Sequence, residues 1–236
     1  MTATDLFQPP WDDAPGVNLT LRPEAAPGWL RPVLGAGDHI DPTRRVDGKV
    51  ASAVLVLLTG SSVADAEVVL THRSPAMRSH SGQIAFPGGH VEAHDKGPVD
   101  TALREAWEEI GLDRREVTPL ETWPAMGVRS KKRPVVPVIA HWDDPGEIGV
   151  ASPAEADHVF TTPIAELADP ANRVRVSFRQ HVGPAFRVND YVVWGFTASI
   201  LDALLDAAGW STPWGEDTPV DLYDTLRASR NHEKME

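Results

Sequence analysis

Glu105, Glu108 and Glu109 stand at intervals that place all three side chains on one face of a helix. Glu105 and Glu109 are one turn apart, so both can reach a single ion. Like charges at that spacing destabilise a helix unless something neutralises them. Carboxylate oxygens are hard donors, and they suit Mg²⁺ or Mn²⁺ rather than zinc. Arg104 directly precedes the first glutamate and is placed to orient one of them through a charge-assisted hydrogen bond. Upstream, Pro87-Gly88-Gly89 provides glycines that let backbone come close to a ligand. The loop between them and the helix is acidic, with Glu92 and Asp95. Spacing alone also fits a solvated acidic helix face.

The anion-binding side of the chemistry falls to arginines. Arg73 and Arg78 are the substrate candidates, because a guanidinium meets phosphate in a bidentate fork; the bland alternative is a solvated strand edge. Arg129, Lys131, Lys132 and Arg133 form the densest basic run, read either as a phosphate dock or, preferably, as a hairpin turn facing solvent. His72, His80, His90 and His94 flank the same region, and His90 directly follows the two glycines. With no cysteine and only the His90/His94 pair in a loop, a zinc centre is not expected. Glu155 is a further acid, read plainly as a surface carboxylate.

These residues need elements to position them. Residues 51–58 form an apolar, partly β-branched run that reads as a buried strand, with 67–72 as its hairpin partner and 84–86 as a third short strand stopped by Pro87-Gly88-Gly89. The glutamate helix is predicted over 98–110. Pro98 suits its first turn, Gly111 suits its left-handed stop, and Ala102, Ala106 and Ile110, flanked by Leu103 and Trp107, form its core stripe. Strands are predicted at 134–140 and 154–160, a strand or strand entry at 188–194 with Val188-Asn189-Asp190-Tyr191 as a turn into it, a short helix at 164–167 and a longer one at 197–208. Short strands interrupted by two main helices predict an α/β sandwich with a mixed sheet. Residues 1–48 are rich in proline and glycine and read as an arm, with a short helix within 23–34. The main domain is expected over 49–210, and 211–236 reads as a polar, peripheral tail.

The bulk numbers bound the rest. A chain of 236 residues buries a full core without staples. No cysteine means no disulfide, no iron–sulfur cluster and no thiol nucleophile. A net charge of −12 excludes a general nucleic-acid binder, so an anionic substrate must meet a local basic cluster or a bridging metal. No stretch has the apolar length of a membrane span. Asp5, Asp12 and Asp13 argue against a transit peptide, so the expectation is a cytoplasmic protein with a small-molecule substrate. A homo-oligomer is compatible with the sequence, which does not define it.

The helix and the loop before it resemble the Nudix hydrolase family. That family's motif runs Gly, five residues, Glu, seven residues, then Arg-Glu-aliphatic-x-Glu-Glu-x-Gly-aliphatic. Here Arg104-Glu105-Ala106-Trp107-Glu108-Glu109-Ile110-Gly111-Leu112 matches its second half, with Ala106 smaller than the pattern prefers. In the first half, Lys96 stands where the pattern counts back to a glutamate. Asp95 is the nearest acid and requires one extra residue in the loop. The coenzyme A pyrophosphatase branch is similar in that longer loop, and also in an upstream signature. The signature appears here as Leu70-Thr71-His72-Arg73-Ser74, Arg78, Gly82 and Phe86-Pro87-Gly88-Gly89, with Val69 replacing its first leucine. A looser likeness extends from about residue 50 to 208, including Ser152-Pro153-Ala154-Glu155, where many family members place a late acid; that implies Glu155 as a candidate base, with the surface carboxylate the preferred reading.

The resemblance implies a Nudix-type α/β/α sandwich and a Mg²⁺-dependent attack of water on a diphosphate. With coenzyme A or a derivative, the products would be 3′,5′-ADP and 4′-phosphopantetheine or its acyl form. It implies Glu105 and Glu109 as primary metal ligands, Glu108 as a third ligand or the general base, and Asp95 as a loop ligand or one acting through water. Arg104 orients a glutamate, and Arg73, Arg78, Gly88 and Gly89 face substrate. Two alternatives stay open: a Nudix hydrolase of ADP-ribose or a nucleoside triphosphate, and a Nudix-fold binding module without chemistry.

Overall fold

The computed structural model describes residues 17–40, 42–127, 133–214 and 218–234. The apolar run near residue 50 becomes β1 (Ser52–Thr59), which is buried along nearly its whole length. Its alternate residues serve two cores. Ala53, Leu55 and Leu57 face one cluster, while Val56 and Leu58 face another. A strand covered on both faces reads as continuously apolar, as this one does.

The strands β2 (Glu67–Arg73), β3 (Ile84–Ala85) and β4 (Gly88–His90) follow. β1 pairs antiparallel with β2 only at its far end, Leu58 opposite Val68, and at its near end pairs antiparallel with β4, Ser52 opposite His90. The Pro-Gly-Gly segment is therefore not only a stop, as the sequence suggested, but leads into a strand that fills the gap where β1 and β2 part. α1 (Pro98–Ile110) then crosses the sheet, with Pro98 in its first turn and Gly111 left-handed at φ 74° as its stop. Both of its ends lie where the local signals place them.

β5 (Val117–Thr122), β6 (Met126–Gly127) and β7 (Pro134–Trp142) extend the sheet. β7 runs parallel to β1 along its full length, and β8 (Ala156–Pro163) pairs antiparallel with β2. The result is a mixed eight-stranded sheet with α1 on one face. The opposite face is covered by α2 (Ile164–Ala168) and, after β9 (Arg173–Phe178), β10 (His181–Val188) and β11 (Tyr191–Trp194), by α3 (Gly195–Ala207). The chain is thus the expected α/β/α sandwich.

The sequence reading did not find β9 and β10. They form a second sheet with β11 and β12 (Val220–Asp221), in the order β11-β10-β9-β12. The segment at 188–194, expected as a strand or a turn into one, enters β11 through a turn at Asn189 and Asp190 that also closes a hairpin with β10. Their φ values of 50° and 63° give the two left-handed residues of a tight hairpin turn. α4 (Leu222–Arg227) packs Leu222 and Leu226 on this sheet. The segment after it is also built in, since Asn231 is fully buried and its side-chain amide brackets Val192 on both N–H and carbonyl. Nor is the described part of the arm loose. Ala26, Leu30, Val33, Ala36 and Ile40 lie in the same core as α3, on short 3₁₀ turns rather than one helix. Among the described residues no helix is long and apolar enough to cross a membrane.

Candidate active site

Two elements bring three carboxylates to one point. Glu105 and Glu109 come from successive turns of α1, and Glu155 from the loop entering β8. A ligand oxygen from each lies within 4.8 Å of the other two. Glu155 is held there by both ends of its loop. Ala151 N–H donates to the Glu109 carbonyl and Gly149 N–H to that of Ile110, closing the C-terminal turn of α1. At the other end Ser74 N–H, just beyond β2, donates to the Glu155 carbonyl at 2.9 Å. Nothing in local spacing signals this convergence. The reading of Glu155 as a surface carboxylate gives way to its place in the cluster.

The two glycines explain how α1 can lie so close to the sheet. Gly88 N–H donates to Glu109 Oε2 at 3.0 Å. A Cβ on Gly89 would lie 2.4–2.5 Å from the Glu105 carboxylate, and one on Gly88 would strike the backbone of β1 at Val54. The sequence assigns both glycines to substrate; in the structure Gly88 donates its N–H to Glu109 and abuts β1, and Gly89 leaves open the space that the Glu105 carboxylate occupies.

Burial decides the electrostatics. It pushes the Glu109 carboxyl up to about 8, with the Gly88 N–H and Arg73 opposing and Glu105 and Glu155 adding to the rise. It pushes Glu105 up to about 7, against the pull of Arg104. Arg73 Nη1 lies 3.8 Å from Glu109 Oε1, but this contact does not neutralise three acids. Three carboxylates share two guanidiniums, Arg73 beside Glu109 and Arg104 on Glu105, and Arg104 is already committed to Asp95, so the set is short of positive charge and its hard oxygens suit Mg²⁺.

Asp95 and Glu108, expected as ligands, are not in this cluster. Both serve Arg104. The Arg104 guanidinium is buried and meets Asp95 bidentately, Nε to Oδ1 at 2.9 Å and Nη2 to Oδ2 at 3.0 Å. Its remaining donors reach the His90 carbonyl, Glu105 and Glu108. A buried guanidinium needs this many acceptors, and the Asp95 carboxylate, 1% exposed, is the strongest of them. Burial opposes the ionisation of Asp95, but Arg104, the Glu92 N–H and the Thr101 hydroxyl hold it down at about 2. Glu92 is exposed, 3.9 Å from Arg104, and does not join the cluster. The Lys96 backbone N–H donates to Asp100 while its side chain is exposed.

Arg73 is beside the cluster, and Arg78 is exposed in the loop joining β2 to β3. His90 pairs with Ser52, His80 with Gln83, and His94 lies near Glu92 and Asp95. Of the basic run, Arg133 is exposed, and Arg129, Lys131 and Lys132 lie outside the described residues. A cleft of about 740 Å³ between the Asn189-Asp190 turn and α4 contains none of the three carboxylates among its lining residues.

A family model described as the NUDIX domain matches residues 49–181. Nudix hydrolase 15, mitochondrial, of Arabidopsis thaliana is 34% identical over 182 residues, covering 73% of this chain and 61% of that protein. The uncharacterized Nudix hydrolase NudL of Klebsiella pneumoniae (strain 342) is 32% identical over 178 residues, covering 69% of this chain and 85% of that one. A crystal structure of a Nudix hydrolase from M. Smegmatis, RenU, aligns with TM-score 0.43 and 25% identity over 52% of this chain and 76% of that one. The chain spans between 52% and 61% of the length of the first three curated relatives it matches.

Proposed function

The chain belongs to the Nudix hydrolase family, and from that premise we propose that it hydrolyses the diphosphate bond of a nucleoside diphosphate-linked substrate, with coenzyme A or a derivative as that substrate. The observation that carries the hydrolase reading is the convergence of Glu105, Glu109 and Glu155 within 4.8 Å beside Arg73. The choice of coenzyme A rests on the signature from Leu70 to Gly89 and its extra loop residue.

In this reading Glu105, Glu109 and Glu155 hold the metal, Mg²⁺ or Mn²⁺. When bound, the ion neutralises the diphosphate and lowers the pKa of the attacking water. Arg104 is a positioning residue. Its bonds to Asp95 and the His90 carbonyl fix the guanidinium, and its bond to Glu105 aims that carboxylate across the glycines. Asp95 acts through Arg104 rather than on the metal. Arg73 contributes positive charge on the side of Glu109, and Arg78 takes a phosphate of the substrate. Glu108 is half-exposed and held by Arg104, so it stands outside the metal set.

The test is release of 3′,5′-ADP from coenzyme A with Mg²⁺ present and absent, alongside ADP-ribose and nucleoside triphosphates. Metal-dependent turnover of coenzyme A above the others is expected. Preference for ADP-ribose would move the substrate assignment, and tight binding of all three without turnover would leave a binding module.

A further inference from the structure

The loop between β2 and β3 has its first residues at the carboxylate cluster. Arg73 lies against Glu109, and Ser74 N–H holds the Glu155 carbonyl. Its far end rests on the segment after α4. At Gly82, φ 76°, a Cβ would lie 2.3 Å from the Asn231 carbonyl oxygen and 2.8 Å from Glu233 Cα, so the segment lies directly on the base of the loop.

Two sets of hydrogen bonds fasten it. The Gln83 Nε2 amide donates to Glu233 Oε1 at 2.6 Å, and Trp194 Nε1 of β11 donates to Glu233 Oε2 at 2.8 Å. The other end of the Gln83 amide meets His80 Nδ1 at 3.1 Å, two residues from Arg78. In parallel, His72 Nε2 of β2 reaches the Asn231 carbonyl at 2.9 Å, while the Asn231 side chain is locked to Val192 of β11. The anchor is thus the second sheet, and the load is the loop. Among the described residues Arg78 has no hydrogen bond or ion pair of its own, so its place depends on how the loop is held.

From this juxtaposition we infer that Glu233, with Asn231, is a positioning residue: it latches the loop of residues 74–83 to the second sheet and so sets where Arg78 meets substrate. The role of Arg78 rests on the function proposed above; the latch does not. Glu233 touches neither the carboxylates nor the reacting atoms, so its loss weakens substrate binding and spares the chemical step.

The test uses the full chain with Glu233→Ala, and Gln83→Ala as a second variant that cuts the same tether from the loop side. Hydrogen exchange of the amides in 74–83 is read without substrate, and kcat and KM for coenzyme A are read with Mg²⁺. Exchange in the loop should rise about tenfold in both variants, the effect expected of losing one charge-assisted bond, with exchange in α1 unchanged. KM should rise about fivefold or more with kcat within about twofold. Glu233→Gln should restore most of both, since an amide can still accept from Trp194 and the Gln83 amide can turn to match it. Unchanged exchange in 74–83 overturns the latch, as does an equal rise across α1 and β1. Faster loop exchange with an unaltered KM overturns the positioning role. If the wild-type chain releases no 3′,5′-ADP, the proposed function fails and the exchange result still decides the latch.

Discussion

Glu109 is the residue on which the site turns. Its carboxylate is almost fully buried, touches a backbone N–H and lies near one arginine, and shares its surroundings with two other acids. The folded form therefore holds protons on Glu109 and Glu105 to about pH 8 and 7, where the unfolded chain has released them near pH 4.5. The folded state binds more protons through that window, so in metal-free protein stability falls as pH rises from about 5 to about 8 and then levels. Asp202 and Glu233, also raised by burial, act in the same direction. Calorimetry in EDTA across pH 5–9 should show the fall, and the Glu105→Gln/Glu109→Gln double variant should flatten most of it. A wild-type Tm that climbs through this range would contradict the assignment. With Mg²⁺ at pH 8 the wild-type Tm should rise by ligand linkage, whereas Glu109→Gln should lose that rise and at least about 100-fold in kcat. Asp95 makes the opposite case, a carboxylate held ionised by a buried arginine. Asp95→Ala leaves that guanidinium without its bidentate partner and should cost about 3–5 kcal/mol in urea denaturation, a fold effect ahead of any metal effect.

At the scale of elements, the approach of α1 to β4 makes the site, and the two glycines of β4 should respond differently. A Cβ at Gly88 meets the backbone of β1, which cannot move without breaking the sheet, and its φ of 152° is one that side chains rarely adopt. A Cβ at Gly89 meets the end of the Glu105 side chain, which can swing aside. Gly88→Ala should therefore lower stability by more than about 2 kcal/mol. Gly89→Ala should keep near wild-type stability in EDTA and lose Mg²⁺ affinity. Titration of Tm against Mg²⁺ separates the two, and equal losses of stability would show that Glu105 has no freedom to yield. The same contrast explains what the sequence made legible. α1 was readable to the residue because Pro98, Gly111 and its apolar stripe are local signals. β4 was not, because a Pro-Gly-Gly stretch becomes a strand only through β1, far away in sequence. β9 alternates valine with arginine and β10 opens with exposed residues, so neither made a continuous apolar run to notice. Glu105 and Glu109 were found from spacing, but Glu155 was placed by backbone bonds from α1 and β2 that no local pattern records.

For the molecule as a whole, the region matched by the family model is not a self-sufficient core. Residues 49–181 leave out α3 and the described arm, yet Leu30, Val33 and Ile40 pack in one cluster with Leu201, Leu204 and Leu205, against Val56 and Leu58 of β1. The arm is fastened by backbone as well. Arg22 N–H donates to the Pro119 carbonyl, and Gly35 N–H to the Glu121 carboxylate. Its buried residues, Ala26, Leu30, Val33, Ala36 and Ile40, recur every three or four positions, but Pro27, Pro32 and Gly35 among them break the run into short 3₁₀ turns and made it look peripheral. If the arm is core, Leu30→Ala creates a cavity beneath the sheet and should cost about 2–5 kcal/mol, as Leu204→Ala should on the opposing helix. A peripheral arm would instead hold the Leu30 change within about 0.5 kcal/mol. Urea unfolding read by tryptophan fluorescence and by far-ultraviolet dichroism distinguishes these outcomes. Coincident transitions, shifted alike in both variants, are expected, because a single cluster joins arm, sheet and α3. An arm that melts first in Leu30→Ala, with the sheet transition unmoved, would make it a separate unit.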